Sequence, residues 1–281
     1  MQTVLVILAI PFGLLAGGFA TMLADRMLDD SSLSLGSRCP QCGASLSAAD
    51  TVPVLSWFRL GGACRHCGDK ITVGYPIVEV ATALLFVWVA FRYDQTDWLI
   101  IVPLILVVAG VALSATDLYT YRLPNRIVFP AFWASLIAMV VLAIVELDDI
   151  SVVLTAVVVG LAYFLLLFVI AFVYPPAMGF GDVKLALLLG LHVGWVASAY
   201  FGTTRAAVQL LFWAVVIGHV AHLVLGVPVI LLRRRGIDPL PDPEAGPDDE
   251  DKPARRRALP MGPSLILGAL FVVLYPATLL S

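Results

Sequence analysis

The sequence predicts an all-α polytopic membrane protein with about eight transmembrane helices and a small folded domain between the first two. Composition is the first observation: 60% of the 281 residues are hydrophobic, 13% are charged and the mean hydropathy is +0.97, which is far outside the range of soluble domains. The second observation is a series of long apolar runs. The third is that all four cysteines fall in one segment between the first two runs.

Eight apolar runs approach the roughly 20 residues that a helix needs to cross a bilayer. They are continuous and lack the alternation of an outer-membrane strand, so helices are predicted. The predicted spans are 3–24, 77–93, 98–116, 127–145, 151–173, 183–200, 206–232 and 261–280. No basic residue precedes the first run and Arg26 follows it, which is the opposite of a cleaved secretory signal. The first run is therefore predicted to be retained.

The basic residues are distributed unevenly between the two sides of the membrane. With the N-terminus outside, 15 of the 17 lysines and arginines lie on the inner side, and only Arg92 and Arg205 lie outside. Positive residues concentrate on the cytoplasmic side of membrane proteins. We therefore expect an external N-terminus and cytoplasmic segments at 25–76 and 233–260. A net charge of −3 and the lack of a basic stripe argue against a nucleic-acid partner.

This topology divides the chain into five segments. The segment 233–260 is charged and rich in proline, with almost no large apolar side chain, which predicts a disordered loop rather than a docking site. The segments are 1–24 (transmembrane helix 1), 25–76 (cysteine domain), 77–232 (helices 2 to 7), 233–260 (disordered cytoplasmic loop) and 261–281 (helix 8).

The cysteines occur as two C-x-x-C pairs, Cys39 with Cys42 and Cys64 with Cys67. Two thiolates that are separated by two residues can hold one metal ion from a tight turn, and two such pairs complete a tetrahedral zinc site. The alternative is a pair of disulfides, which the reducing cytoplasm disfavours. His66, inside the second pair, is a further candidate ligand. Because so short a segment has little core, zinc is predicted to stabilise its fold.

Two aspartates are predicted to reach the same face of the membrane. Asp117 follows the third span and Asp182 lies between the fifth and the sixth, so both arrive at the cytoplasmic side. Taken singly, each is also explained as a helix cap or an interfacial acid. Together they are typical of an acid pair that hydrolyses peptides, in which one carboxylate activates water and the other protonates the carbonyl oxygen. Gly179 and Gly181 are expected to let the backbone approach closely and to leave space for an extended peptide.

The other polar residues in the spans have two interpretations each. Lys184 either favours the ionised form of Asp182 or extends to the interface. His219 and His222 share a helix face and either line a polar cavity or pack between helices, as does His192. An alternative function for the chain is a membrane scaffold or transporter whose two aspartates bind a cation or relay protons. Transporters tend to have internal repeats and acids at the bilayer midplane, and the sequence indicates neither.

Four stretches of the chain resemble the type IV prepilin peptidases, a family of intramembrane aspartyl proteases that are also N-methyltransferases. GFGDVK is similar to the glycine-x-glycine-aspartate motif of that family, and it follows TDLYTYRLPN in the family's arrangement. The segment CPQCGASLSAADTVPVLSWFRLGGACRHCGDKITVGYPIVEV resembles the family's cysteine domain, and LPMGPSLILGAL resembles its last span. One departure is Thr21, where the family usually has asparagine.

The resemblance implies a substrate, a second reaction and a location. The substrate is the N-terminus of a prepilin or pseudopilin, whose short basic leader ends in glycine before a hydrophobic helix. Asp117 and Asp182 are then catalytic, with Gly179, Gly181 and Lys184 supporting. Methylation of the new amine by S-adenosylmethionine is implied by the resemblance alone, and Glu79 is the candidate cofactor-binding residue. The alternative is that Glu79 is an interfacial glutamate that pairs with a nearby arginine. The expected location is the bacterial cytoplasmic membrane.

Overall fold

The computed structural model describes residues 2–28, 38–39, 41–93, 98–175, 178–234 and 259–280. Within them the chain is mostly helical, with two isolated β-bridges and no longer strand. Residues 235–258, the greater part of the predicted disordered loop, lie outside the described residues. The helices are α1 Gln2–Leu28, α2 Leu55–Arg59, α3 Gly74–Arg92, α4 Ile101–Thr120, α5 Asn125–Val145, α6 Ser151–Val173, α7 Phe180–Phe201, α8 Thr204–Arg234, α9 Gly262–Leu274 and α10 Pro276–Leu280.

Seven helices in the described part of the chain are long and apolar enough to cross a membrane. They carry many exposed large apolar side chains, such as Leu165 on α6 and Ile144 on α5, as expected where lipid replaces water. The chain is therefore a multi-pass membrane protein. The predicted eighth span differs, because α9 has 13 residues and ends before Pro276, whose ring cannot continue the hydrogen-bond ladder.

The described helices divide into two compact units. The first comprises residues 1–100 with 107–112, and the second comprises 101–106 with 113–281. In the first unit α1 packs on α3 through small residues. A Cβ atom at Gly13 would lie 2.5 Å from the Cα of Ala83, and one at Gly17 would lie 2.6 Å from the Cα of Glu79. Only glycine allows the two backbones to approach this closely.

In the second unit α7 is the central helix, and residues 188–197 are all buried. It packs most extensively on α6, again through glycine. A Cβ at Gly190 would lie 2.8 Å from the Cα of Gly160, and one at Gly194 would lie 2.8 Å from the Cα of Ala156. The α8 and α9 helices meet similarly at Gly218 and Gly268. These contacts fix the position of α7, and hence of its first turn.

Two helix boundaries differ from the predicted spans in a way that affects the site. The third predicted span ends at 116, but α4 continues to Thr120, so Asp117 lies in its last turn. The sixth predicted span begins at 183, but α7 begins at Phe180, so Asp182 lies in its first turn. Both acids are thus held by regular helix rather than by loops.

Candidate active site

Asp117 is a buried acid in the last turn of α4, with 5% of its surface exposed. Its Oδ2 accepts a hydrogen bond of 2.8 Å from the backbone N–H of Gly262. Gly262 is the first residue of α9, where amide groups have no partner within the helix. The carboxylate of Asp117 therefore satisfies one of the free amides at the start of α9.

Asp182 is the third residue of α7 and is 9% exposed. Its Oδ2 accepts a hydrogen bond of 3.3 Å from the backbone N–H of Gly179, the residue that precedes the helix. The side chain of an acid at this position accepts a hydrogen bond from the amide before the helix, and its negative charge interacts favourably with the helix dipole. The cap interpretation of Asp182 is therefore correct, and it places the carboxylate in a fixed orientation.

Leu123 connects the surroundings of the two aspartates. A Cβ at Gly181 would lie 3.1 Å from the Cβ of Leu123, and a Cβ at Gly262 would lie 3.2 Å from its Cδ2. The charges of Asp117 and Asp182 are close enough to interact. The structure thus brings together two buried acids that are far apart in the sequence.

The two glycines before Asp182 differ in what they require. Gly179 has φ of −77° and ψ of 152°, an extended conformation that any residue adopts. A Cβ there would lie 3.6 Å from the Oδ2 of Asp182, an ordinary contact. The space beside Gly181 is tighter because of Leu123. Close approach is therefore observed at Gly181, whereas the backbone at Gly179 does not use the freedom of glycine.

Lys184 does not join the aspartates. Its Nζ donates a hydrogen bond to the side-chain oxygen of Asn125, at the start of α5, and it lies 5.6 Å from the centre of the Phe180 ring. The lysine therefore connects the first turns of α5 and α7.

The histidines within the helices have local hydrogen-bond partners. His192 is fully buried, with Nδ1 2.9 Å from the carbonyl oxygen of Leu188 and Nε2 3.2 Å from the hydroxyl of Ser135. The Nδ1 of His219 lies 2.7 Å from the carbonyl oxygen of its own preceding turn, and that of His222 lies 3.4 Å from a serine hydroxyl on α9. These contacts favour packing roles.

Tyr163 on α6 was not identified from the sequence. Its side chain is fully buried, and its hydroxyl has no hydrogen-bond partner among the described residues. The hydroxyl lies within electrostatic range of Asp182. A tyrosine in an apolar run gives no signal in the sequence that separates it from an ordinary core residue.

The four cysteine sulfur atoms form one cluster, with all atoms within 4.8 Å of one another. The Sγ atoms of Cys39 and Cys67 are 3.9 Å apart, close to the edge of about 3.8 Å that four Zn–S bonds of about 2.3 Å define in a tetrahedron. All four cysteines are free of disulfides. His66 is exposed and does not join the cluster. The donor set therefore fits zinc.

Two turns of the same design present the thiols. In each turn, the N–H of the first cysteine donates to the carbonyl oxygen five residues later, and the N–H of the glycine four residues later donates to the carbonyl oxygen of that cysteine. Gly43 and Gly68 have φ of 68° and 74°, in the left-handed region that favours glycine. Hydrogen bonds from the backbone amides of Cys67 and His66 lower the pKa of Cys64 to about 7, which favours the thiolate that a metal requires.

Asp50 connects the remainder of the cysteine domain. It accepts hydrogen bonds from the hydroxyl and amide of Ser47, at 2.6 and 3.0 Å, and it forms ion pairs with Arg59 and Arg65. The Ser47 hydroxyl, followed by its amide and the two arginines, holds the pKa of Asp50 below its ordinary value. Asp50 therefore joins the segment before α2 to the second cysteine turn.

Glu79 on α3 is buried and bonds to a loop rather than to an arginine. Its Oε2 accepts a hydrogen bond of 2.6 Å from the N–H of Val54, which has a φ of 61° that is strained for a β-branched residue. Glu79 lines a cleft of about 800 Å³. Thr21, also in the cleft wall, donates its hydroxyl to the carbonyl of Gly18 at 3.0 Å.

The chain is thus a multi-pass membrane protein with two buried aspartates at helix ends and a cluster of four cysteines that could hold a metal ion. Residues 11–93 match the bacterial peptidase A24 N-terminal domain, and residues 104–225 match the type IV leader peptidase family. The chain belongs to the type IV leader peptidase family. This membership does not favour the scaffold or transporter alternative. No solved structure gives a significant match.

Several curated relatives are named prepilin leader peptidase/N-methyltransferase. The one from Aeromonas hydrophila is 35% identical over 166 residues, which are 57% of this chain and 55% of that protein. The one from Pseudomonas putida is 37% identical over 57% of this chain and 54% of that protein. The alignments with these relatives span little more than half of their length. The protein from Myxococcus xanthus is 29% identical over 93% of this chain and 88% of its own length.

Proposed function

We propose that the protein is a membrane-embedded aspartyl endopeptidase that removes the leader from type IV prepilins or pseudopilins. The observation that carries the proposal is the pair of buried carboxylates, Asp117 and Asp182, at the ends of two helices and in electrostatic range of each other. Family membership and the names of the relatives support the substrate class. The other buried acids among the described residues have different partners: Asp50 pairs with Arg59 and Arg65, and Glu79 bonds to the amide of Val54.

The catalytic step requires the two acids to share one proton. Two nearby carboxylates cannot both ionise cheaply, so one is an acid while the other is a base. The base takes a proton from water, whose oxygen attacks the scissile carbonyl carbon, and the acid gives its proton to the carbonyl oxygen. The amides of Gly262 and Gly179 each engage an Oδ2, and we assign the Oδ1 atoms to the water and the substrate.

The bias of basic residues supports an orientation in the cytoplasmic membrane with the N-terminus outside. In this orientation Asp117 and Asp182 lie at the cytoplasmic face. A precursor helix in the bilayer, with its basic leader inside, would present its cleavage site at the same level.

Cleavage of a synthetic precursor by the purified protein tests the proposal. The gel-resolved product should form with the wild-type protein and should be lost in Asp117→Asn and in Asp182→Asn, because an amide neither accepts the proton of water nor returns one. Lys184→Asn, which changes a charge beside Asp182 but leaves both acids, is the matched control. Processing that continues in both aspartate variants would refute the assignment.

We further propose that Cys39, Cys42, Cys64 and Cys67 hold zinc in the cytoplasmic domain. Zinc supplies a structural crosslink here, because four thiolates leave no open position for a substrate. Metal analysis should find one zinc per chain and less in Cys39→Ser or Cys67→Ser. The same result with His66→Ala would contradict the assignment of four cysteines.

The cleft beside Glu79 is the proposed site for S-adenosylmethionine. Its volume of about 800 Å³ lies in the range of small-molecule sites, and its wall combines acids and apolar side chains, including Asp25 and Phe19. When bound, S-adenosylmethionine supplies the methyl group for the new N-terminal amine. Glu79 both bonds to Val54 and faces the cleft, so it is placed to orient a cationic ligand. Mass spectrometry of the product should show methylation by the wild type and cleavage without methylation by Glu79→Gln.

A further inference from the structure

Three large apolar side chains of the cysteine domain are exposed on one short stretch of chain. Val52, Leu55 and Phe58 are 41%, 68% and 69% exposed, and they recur at every third residue through the turn before α2 and through α2 itself. Residues three apart lie on the same face of a helix. Single exposed apolar side chains are ordinary, whereas a group of them marks a protein or membrane contact. Residues 52–58 are called the α2 segment below.

The opposite face of the α2 segment is held by the rest of its domain. The Nε1 of Trp57 donates a hydrogen bond of 3.0 Å to the carbonyl oxygen of Ile71. The Trp57 ring also packs on Gly62, where a Cβ would lie 3.0 Å from its Cζ2, and it lines the cleft beside Glu79. Because Trp57 is fixed in this way, the face that bears Phe58 points away from the domain.

The α2 segment lies beside two membrane-spanning helices, α1 and α3. A Cβ at Gly18 of α1 would lie 3.5 Å from the Cγ of Pro53, and the N–H of Val54 bonds to Glu79 of α3 at 2.6 Å. Gly18 is seven residues before Asp25, the first charged residue of α1, a distance of about 10 Å at 1.5 Å per residue. The segment therefore reaches beyond the charged end of α1, to the level at which headgroups give way to acyl chains.

The helix surfaces at this level are apolar and exposed as well. Leu15 and Phe19 on α1 are 58% and 49% exposed, and Val73 and Ile77 at the start of α3 are 53% and 60% exposed. Arg59 follows the α2 segment, and about half of its side chain is exposed. Apolar side chains beside an arginine are typical of segments that lie in the membrane interface, where the cation reaches the phosphate layer.

We propose that the α2 segment is an interfacial anchor, which places Val52, Leu55 and Phe58 among the phospholipid acyl chains of the leaflet that the cysteine domain faces. The partner is lipid rather than protein, because the contacts to α1 and α3 hold the segment at a depth where lipid already surrounds those helices. Burial of these side chains in acyl chains is favourable. The inference goes beyond the proposed function and does not depend on it.

Photocrosslinking from the α2 segment tests the inference. A benzophenone amino acid replaces Phe58 in the full-length protein, which is reconstituted into vesicles of phosphatidylethanolamine and phosphatidylglycerol and then irradiated. Mass spectrometry should find phospholipid attached at this position, with a yield about tenfold above that from the same replacement of Gln41, because a side chain among acyl chains meets lipid continuously. Gln41 is an exposed polar residue in the first cysteine turn. Phe12, which is 60% exposed on α1, is the positive control.

The same replacement of Leu55 tests the face at a second position. Both replacements should melt at the wild-type temperature, because both side chains are exposed. If Phe12 gives lipid adducts while Leu55 and Phe58 give no more than Gln41, the inference is wrong. Attachment to a second copy of the chain, or to the synthetic precursor when it is added, in place of lipid also overturns the inference, because the exposed face would then be a protein contact.

Discussion

Replacing Gly262 by alanine should displace Asp117 without removing any group that takes part in chemistry. The amide of Gly262 donates to the Oδ2 of Asp117 at 2.8 Å. A Cβ at residue 262 would lie only 2.8 Å from that same oxygen and 3.2 Å from the Cδ2 of Leu123. The hydrogen bond holds the carboxylate of Asp117 against the backbone of residue 262. The methyl group of an alanine there would overlap the position of this carboxylate.

The structure sets the size of the effect. The contact is about 0.6 Å short of the 3.4 Å at which ordinary van der Waals contact begins, so the carboxylate or α9 must move by roughly that distance. Overpacking of this kind costs about 1–3 kcal/mol. A misplacement near 1 Å in a catalytic group lowers rates by about 100-fold, so we expect kcat/KM of Gly262→Ala to fall by about 10-fold to 100-fold.

The assay is cleavage of the synthetic precursor, with kcat/KM measured for equal amounts of folded enzyme. Gly18→Ala is the control, because a Cβ there meets its nearest atoms at 3.5 Å, an ordinary contact. It should cleave at the wild-type rate. If Gly262→Ala also cleaves within twofold of wild type, then the Gly262 contact does not position Asp117, and the reasoning from its geometry is wrong.

Three further predictions concern other contacts. Asp50→Asn should remove a pH dependence from the stability of the cysteine domain. Because the fold lowers the pKa of Asp50, its stabilisation is present above the unfolded pKa of 3.8 and is lost as pH falls through the folded pKa. Lys184→Met should change kcat/KM by less than about threefold, because exposed polar pairs such as that with Asn125 contribute little. Gly190→Ala should lower the unfolding free energy by about 1–3 kcal/mol, because its Cβ meets the backbone of Gly160.

Each has a direct measurement. Melting of the wild type and of Asp50→Asn between pH 3 and pH 7 should give curves that differ at neutral pH and converge in acid, and parallel curves would contradict the role of Asp50. A tenfold loss in Lys184→Met would indicate that the lysine acts on the aspartates after all. If Gly190→Ala unfolds at the same denaturant midpoint as the wild type, then α6 and α7 accommodate the added methyl group without loss of stability, and the prediction is wrong.

Much of the architecture could be predicted from local patterns. The apolar runs predicted the membrane helices because span length is a property of consecutive residues, and the structure confirms seven spans of sufficient length. The C-x-x-C spacing predicted a cluster of four thiols because a turn brings residues three apart together, and the sulfur atoms do converge. The eighth span was too long in the prediction, since hydropathy does not register the break that Pro276 causes.

The candidate site shows where such patterns stop. Counting spans placed Asp117 and Asp182 on one face, but it did not give their partners. Gly262 is 145 residues from Asp117 in the chain, and its role depends on where α9 begins. Likewise, the bond from Glu79 to the strained amide of Val54 has no signature in the sequence.

The membrane class, the thiol cluster and the two acids could be predicted from the amino-acid sequence, since each depends on residue type and short-range spacing. The folded structure was needed to show which amide holds Asp117, that Lys184 bonds to Asn125, and that the Tyr163 hydroxyl is buried with no hydrogen-bond partner among the described residues. The physical reason is that these contacts form between helices that are distant in the chain. Their distances are set by glycines such as Gly190, where the absence of one carbon allows two backbones to meet.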